Sequence, residues 1–170
     1  MITKKEFPIL EFDTEKVAKI NPENLFPEKF SADKMIITFF PEAINKLIEE
    51  KQVEVYCHIG GENPFDIYRF VDSPDVWIVL GQVGCPACAG NLDLFNGFGI
   101  KKVMFCGGGG GLDRNIKVGE FLVVEGAIRD EGFSYHYVEP SRYIYTDKKV
   151  SDKLAASLES KPTTSSPCQQ

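Results

Sequence analysis

The stretch VMFCGGGGGLD, residues 103–113, decides the fold of this chain. A short apolar segment typical of a β-strand runs directly into five consecutive glycines. A compact protein keeps such a run where the backbone adopts unusual torsion angles or closely approaches another group. We therefore predict a buried strand over 103–106 that opens into a ligand loop, at the end of the strand where α/β sheets place their ligands. A flexible linker is the alternative, but apolar segments at 103–106 and 121–124 flank the run.

Strands and helices alternate in the apolar pattern around this stretch. The segments 35–40, 53–59, 67–71 and 76–81 have the composition of strands, and 7–12 is a candidate edge strand. Helices are predicted from Pro41 to residue 50, over 87–98 before Gly99, and over 151–160. Strand, glycine turn, helix and strand follow one another from residue 76 to 106, which is the order of a βαβ crossover. The sequence predicts an α/β fold.

Length and composition indicate an ordinary globular protein. The 170 residues are 43% hydrophobic and 26% charged, which predicts one domain over residues 1–160 and a disordered polar tail over 161–170. The net charge of −6 and the lack of a basic run argue against nucleic acid as a partner. No apolar stretch has the length of a membrane span or the character of a secretory segment, so a cytoplasmic protein without a membrane partner is expected.

The cysteines indicate reduced thiols. Their number is odd and they are scattered, which argues against a disulfide framework. They are Cys57, Cys85, Cys88, Cys106 and Cys168.

Four motifs together resemble the nucleoside phosphorylase family, specifically its uridine and purine nucleoside phosphorylase branch. They are GQVGCP at 81–86, the glycine run, IKVGE at 116–120 and RDEGFSYHY at 129–137. The resemblance implies a central, mostly parallel or mixed sheet flanked by helices. It also implies phosphorolysis of a nucleoside's N-glycosidic bond, with inorganic phosphate as co-substrate and no other cofactor or metal. The implied partners are nucleoside, phosphate and further copies of the chain, as a dimer or a trimer of dimers.

The same resemblance places the glycine loop against phosphate, sugar and base. Glycines supply backbone N–H donors without steric bulk. The Arg129 guanidinium is suited to a phosphate or a base carbonyl, with a salt bridge to Asp130 or Glu131 as the alternative. Tyr135 and His136 are candidates for contacts with the base, and His136 is otherwise a wall residue or a general acid. The predicted substrate-binding residues are Gly107, Gly108, Gly109, Gly110, Arg129, Tyr135 and His136, and no catalytic residue is assigned.

The chain departs from the family pattern at its phosphate-binding positions. The family usually has an arginine two residues before the first loop glycine and a serine or threonine just after it, where this chain has Phe105 and Gly108. Its Gly-Asp-Pro phosphate loop is replaced by FFPE at 39–42, and Phe105 is expected in the core. Nothing in 146–170 matches the family's ribose-binding Glu-Met-Glu segment or its late aspartate. We expect a domain that is incomplete relative to the family.

Three other functions stay open. A nucleosidase, which uses water in place of phosphate, is consistent with the missing arginine. A non-catalytic nucleoside-binding protein is consistent with the missing later segments. The CPAC motif at 85–88 stands at a strand-to-helix junction, as in a thioredoxin-like dithiol, whereas a zinc site would need further ligands.

Overall fold

The chain forms two compact units. The computed structural model describes residues 4–15, 17–25 and 31–160, so the predicted tail at 161–170 lies outside the described residues. The first unit runs from Asp13 to Gly108, and the second combines residues up to Phe12 with those from Gly109 onward. The boundary therefore falls inside the glycine run.

A five-stranded sheet with helices forms the first unit. Its strands are β1 (Lys34–Thr38), β2 (Val53–Ile59), β3 (Phe65–Phe70), β4 (Val76–Leu80) and β5 (Lys102–Cys106), and its helices are α1 (Pro22–Leu25), α2 (Pro41–Glu49) and α3 (Cys85–Gly97). The strand order is β2-β3-β4-β1-β5. β1 is parallel to β4 and β5, whereas β3 is antiparallel to β2 and β4. The predicted mixed α/β sheet flanked by helices is confirmed.

The βαβ crossover places three strand ends side by side. α3 connects β4 to β5, and β1 lies between these two strands. Thr38, at the end of β1, is in register with Leu80 of β4 and with Cys106 of β5. The turns that follow β4, β1 and β5 therefore all lie at the edge of the sheet formed by the carboxyl ends of these strands.

Helices α2 and α3 cover opposite faces of this sheet. Ile44 of α2 packs on Val53 and Ile78. Phe95 of α3 belongs to the larger cluster that includes Trp77. Because neighbouring residues of a strand point to opposite faces, Trp77 and Ile78 place the two helices on different sides.

Aromatic side chains dominate the larger core. The largest fully buried side chains are Trp77, Phe95, Phe98, Met35, Ile67 and Val79. The Tyr56 ring lies 4.4 Å from that of Trp77, between centroids. Trp77 Nε1 donates a hydrogen bond to the Pro74 carbonyl at 3.2 Å.

β5 is less buried than its sequence predicts. Phe105 is 45% exposed and Met104 is 37% exposed, so the prediction that 103–106 is a buried strand with Phe105 in the core is wrong. The physical reason is position, because β5 is the last strand of the sheet and pairs with β1 alone in the described part of the chain.

The candidate edge strand at 7–12 and the apolar segment at 121–124 are not strands in the structure. The candidate edge strand at 7–12 contains a 3₁₀ turn, Pro8–Leu10, which the amide nitrogen of Glu11 closes by donating to the Pro8 carbonyl at 3.0 Å. Residues 121–124 are irregular, and Phe121 and Leu122 are exposed. Apolar composition alone does not make a strand, because a strand needs a neighbour with which to pair its backbone.

The second unit contains a hairpin-like strand pair and a helix. β6 (Gly126–Ile128) pairs antiparallel with β7 (Tyr143–Tyr145), and α4 spans Lys148–Glu159. The Asp147 side chain caps α4 by accepting a hydrogen bond from the Lys149 amide nitrogen at 2.9 Å. The predicted helix is confirmed, with an earlier start. None of the helices described here has the length and apolar character needed to cross a membrane.

Two glycines of α3 should respond oppositely to alanine. A Cβ at Gly97 would lie 2.5 Å from Pro22 Cβ and 2.7 Å from the Pro22 carbonyl carbon, whereas one at Gly90 meets nothing within 4 Å. We expect Gly97→Ala to lower the free energy of unfolding by about 1–3 kcal/mol, as overpacking does. We expect Gly90→Ala to raise it by about 0.5–1 kcal/mol, because alanine has the higher helix propensity. Urea denaturation measures both, and changes of the same sign would contradict the described packing of α1 on α3.

Candidate functional site

The Phe39 ring fills the space between two glycine turns at the edge where β4, β1 and β5 end. The Gly81 amide nitrogen donates to the Thr38 carbonyl at 2.7 Å, and that of Phe39 donates to the Cys106 carbonyl at 2.9 Å. A Cβ added at Gly81 would lie 2.7 Å from Phe39 Cε1, and one at Gly107 would lie 3.0 Å from Phe39 Cδ2. Glycine is therefore required at 81 by close approach to this ring, and a Cβ at 107 would press against it.

Phe40 and Phe105 extend this aromatic packing. The Phe105 ring stacks beside that of Phe39, with 6.5 Å between centroids and an interplanar angle of 15°. A Cβ at Gly108 would make an ordinary contact with Phe40 Cε1, at 3.6 Å. We call Phe39, Phe40 and Phe105 the aromatic cluster. Aromatic rings thus occupy positions that the family resemblance assigns to phosphate ligands.

Gly109 and Gly110 belong to the second unit and lie in open space. A Cβ built at either one meets no described atom within 4 Å. Neither glycine has the positive φ that would exclude another residue. Packing within the described residues does not explain these two glycines, and their role in ligand binding stays a prediction.

Arg129 is buried and holds the segment that follows it. It comes directly after β6 and is only 5% exposed. Its Nε donates to Ser134 Oγ at 2.9 Å. Its Nη1 donates to the Glu139 carbonyl at 2.6 Å and to Ser141 Oγ at 2.8 Å, and Nη2 donates to the Val138 carbonyl at 3.1 Å. Most of the guanidinium donors are thus engaged within the protein.

Tyr135 packs against this arginine. The Arg129 Cζ atom lies 4.3 Å from the centre of the Tyr135 ring, within the range of a cation–π contact. The Tyr135 hydroxyl donates to the Arg129 carbonyl at 3.0 Å. The structure therefore brings together two of the predicted site residues, Arg129 and Tyr135.

Glu131 is linked to Arg129 through a serine. Its carboxylate accepts hydrogen bonds from the Ser134 hydroxyl and from the amide nitrogens of Phe133 and Ser134, the latter two at 2.8 Å. The Ser134 oxygen in turn accepts from Arg129, so the predicted alternative of a surface salt bridge is replaced by a hydrogen-bonded turn. Gly132 lies inside this turn with φ of 82°, a backbone conformation that favours glycine.

Replacing Glu131 by glutamine should remove the part of this turn's stability that is lost at low pH. Hydrogen bonds from the Ser134 side chain, and then from its amide, lower the pKa of Glu131 below its ordinary value. A depressed pKa contributes stability that is present above the unfolded-state pKa and lost as the pH falls through the folded-state pKa. We expect Glu131→Gln to lower the free energy of unfolding by less than about 1 kcal/mol at neutral pH, because the carboxylate is exposed.

Hydrogen exchange in residues 129–137 at pH 7 and at pH 3–4 measures this effect, with Glu125→Gln as the control because its side chain is also exposed. The wild type and the control should lose protection on acidification, and Glu131→Gln should change less. An equal response of all three proteins would contradict the assigned role.

An open cavity of about 510 Å³ lies beside Arg129 in the second unit. It is a depression open to solvent rather than an enclosed pocket. Besides Arg129 and Tyr135, the lining includes Asp130, Ser141 and Arg142, which the sequence did not indicate as site residues. The backbone explains their presence, because the Arg129 amide nitrogen donates to the Arg142 carbonyl at 2.9 Å. No local sequence signal marks these three residues, because their position follows from the pairing of β6 with β7.

His136 lies apart from this cavity lining. It is exposed, at the end of the short 3₁₀ turn Ser134–His136, and its ring packs edge-on against Phe133 with 5.8 Å between centroids. The contact of His136 in the structure is thus with the Phe133 ring, and its role as a wall residue stays a prediction. The roles of His136 as a base contact or general acid stay predictions.

Three parallel strands end side by side in the open sheet of the first unit, two of them at glycine turns, and α/β proteins place their ligands at such strand ends. A model of the Phosphorylase superfamily matches residues 33–166, which is more than half of the chain. The chain therefore belongs to the Phosphorylase superfamily. The predicted resemblance to nucleoside phosphorylases is confirmed.

Individual relatives agree with this assignment. A guanosine phosphorylase from Halorubrum lacusprofundi is 32% identical over 66 residues, which cover 39% of this chain and 27% of the relative. A structure of uridine phosphorylase from Vibrio fischeri ES114 has a TM-score of 0.65 and 22% identity, over 82% of this chain and 56% of that one. A second structure of that protein, complexed with 6-hydroxy-1-naphthoic acid, has a TM-score of 0.64 and 21% identity. The chain thus spans little more than half the length of these solved structures and about a quarter of the curated relative.

Proposed function

We propose that this chain acts in the phosphorolysis of nucleosides. Inorganic phosphate replaces the base at C1′ of the ribose, giving a free base and ribose 1-phosphate. The observation that carries the proposal is the superfamily match over residues 33–166, which includes the glycine turns at the edge of the sheet. Because the chain spans only part of its relatives, the activity is proposed for the chain itself and tested on it.

The chemistry assigns a task to each kind of predicted residue. Cleavage of the C–N bond passes through an oxocarbenium-like sugar, so the enzyme needs a positioned anion and hydrogen bonds to the departing base. The glycines at 107–110 supply backbone donors for the anion and the sugar. Tyr135 and His136 are proposed to contact the base. Arg129 is proposed to contact the phosphate or a base carbonyl through the N–H donor that its hydrogen bonds within the protein leave free. Inorganic phosphate is the only co-substrate proposed.

The substrate, assembly and location complete the proposal. We propose a uridine or a purine nucleoside as substrate, since relatives named for uridine and for guanosine both match. We further propose a homo-oligomer in the cytoplasm, either a dimer or a trimer of dimers.

Hydrolysis is the second candidate, and one observation favours it. The aromatic cluster stands where the family resemblance assigns phosphate ligands, and aromatic rings do not donate hydrogen bonds to an anion. Water as the acceptor would make those ligands unnecessary. The products would then be the free base and free ribose.

The test is base release from uridine, inosine, guanosine and adenosine by the full chain, with and without inorganic phosphate. Phosphate-dependent release with formation of ribose 1-phosphate supports phosphorolysis, whereas phosphate-independent release supports hydrolysis. No release and no nucleoside binding would overturn both. Phe105→Arg, which restores the family's arginine at a half-exposed position, should lower the phosphate concentration needed for half-maximal rate, and Phe105→Leu is its control.

A further inference from the structure

Two cysteines lie on the first turn of α3. Cys85 is the first residue of the helix and Cys88 lies three residues later. The Cys88 amide nitrogen donates to the Gly84 carbonyl at 2.9 Å, so this turn is formed. Residues three apart share a helix face, with Cβ atoms about 5–6 Å apart. The two thiols are therefore neighbours.

The two thiols differ in accessibility. Cys85 is exposed, whereas Cys88 is half-buried and lines a narrow gap with Gly81, Gln82 and Asn91. Burial raises the pKa of the Cys88 thiol, and the charge of a Cys85 thiolate raises it further. This difference suits a dithiol pair. The accessible cysteine attacks the reagent, and the shielded cysteine then resolves the mixed disulfide that forms.

The surroundings favour a dithiol over a metal site. Among the described residues, no group of three or more His, Cys, Asp or Glu side chains is placed to hold a metal ion. The N-cap residue of this helix is Gly84, which has no side chain to cap the first turn.

The helix start also permits a disulfide. A disulfide needs Cβ atoms about 3.5–4.5 Å apart, so the turn must tighten by about 1–2 Å. The residue before Cys85 is Gly84, with φ of 106°, and a glycine backbone changes its torsion angles with little steric hindrance. Pro86, between the cysteines, has no N–H group whose hydrogen bond would be lost.

We propose that Cys85 and Cys88 form a reversible thiol–disulfide pair that reacts with small-molecule disulfides of the glutathione class. The Cys85 thiolate attacks one sulfur of the small molecule, whose S–S bond breaks and releases one thiolate. Cys88 loses its proton to solvent and attacks Cys85 Sγ, which breaks the mixed disulfide and releases the second thiolate. Two protein thiols are oxidised to one disulfide while one small-molecule disulfide is reduced to two thiols.

The first test uses the unmodified full chain and oxidised glutathione. Remaining thiols are blocked with iodoacetamide, and peptides are mapped by mass spectrometry without reduction. We expect a disulfide between Cys85 and Cys88 that reduced glutathione reverses, with Cys57 and Cys106 alkylated. Glutathione attached first to Cys57 or Cys106, or no disulfide at 85–88, would overturn the proposal.

Single variants test the order of attack. Cys88→Ser should accumulate glutathione on Cys85, whereas Cys85→Ser should take it up on Cys88 about tenfold more slowly, because that thiol is shielded. Cys168→Ser is the matched control and should react as the wild type does. Equal rates for the two single variants would overturn the assigned order, and circular dichroism shows whether each variant is folded.

Discussion

Replacing Arg129 by alanine should lower the stability of the second unit by about 2–4 kcal/mol. The guanidinium is buried, and its bonds join the end of β6 to the carbonyls of Val138 and Glu139 and to two serine hydroxyls. Removing it leaves these acceptors without their donor and the Tyr135 ring without its partner. Arg129→Lys should recover little of the loss, because an ammonium group lacks the planar fork that reaches several acceptors.

Hydrogen exchange over residues 126–145 measures this effect locally. Arg142→Ala is the matched control, because Arg142 is exposed and donates to the hydroxyl of its neighbour Tyr143 at 3.2 Å. We expect the control to change stability by less than about 0.5 kcal/mol. If Arg129→Ala kept the protection seen in Arg142→Ala, the internal bonds would not stabilise the unit, and ligand binding would become the better explanation for this arginine.

Replacing Trp77 by alanine should lower the free energy of unfolding of the first unit by about 3–5 kcal/mol. Trp77 is fully buried, packs against the Tyr56 ring and belongs to the core cluster between the sheet and α3. Its loss leaves a large cavity and removes the hydrogen bond to the Pro74 carbonyl. Trp77→Phe keeps an aromatic ring and should cost less, about 1–3 kcal/mol.

Urea denaturation followed by far-UV circular dichroism is the suitable measurement, because the substitution removes the chain's one tryptophan and its fluorescence. Val55→Ala on β2 is the control, since Val55 is 59% exposed. Similar midpoints for Trp77→Ala and Val55→Ala would show that the aromatic core does not stabilise the sheet as described.

Local sequence signals predicted the five strands and the two longer helices of the first unit, but not the short helix α1. Pro41 at the first turn of α2 and Gly99 just after α3 are signals that a helix carries within its own sequence. The strands from β1 to β5 follow from short apolar segments between turns. Because these signals are local, they need no knowledge of the partner strands.

Properties that depend on distant partners were not predictable. Phe105 looks like a core residue until its strand is known to be the last of the sheet. The sequence suggests partners for Arg129 among its neighbours Asp130 and Glu131, but its hydrogen-bond partners include Glu139 and Ser141, ten and twelve residues away. In the candidate site, the glycines in the sequence predicted that another group approaches the backbone closely. Only the structure shows that at residues 81 and 107 it is the side chain of Phe39.

That contact ties together positions that are remote along the chain. Phe39 sits between Gly81 and Gly107, so the volumes available at these three positions are shared. A side chain gained at 81 would also meet Ile37 Cγ2 at 2.8 Å, so residues 37 and 39 would both have to yield, whereas one gained at 107 needs only a small shift of residue 39. The effects of such changes on stability are not additive. Among homologous chains, we therefore expect residues 81 and 107, in the turns after β4 and β5, to covary with residue 39.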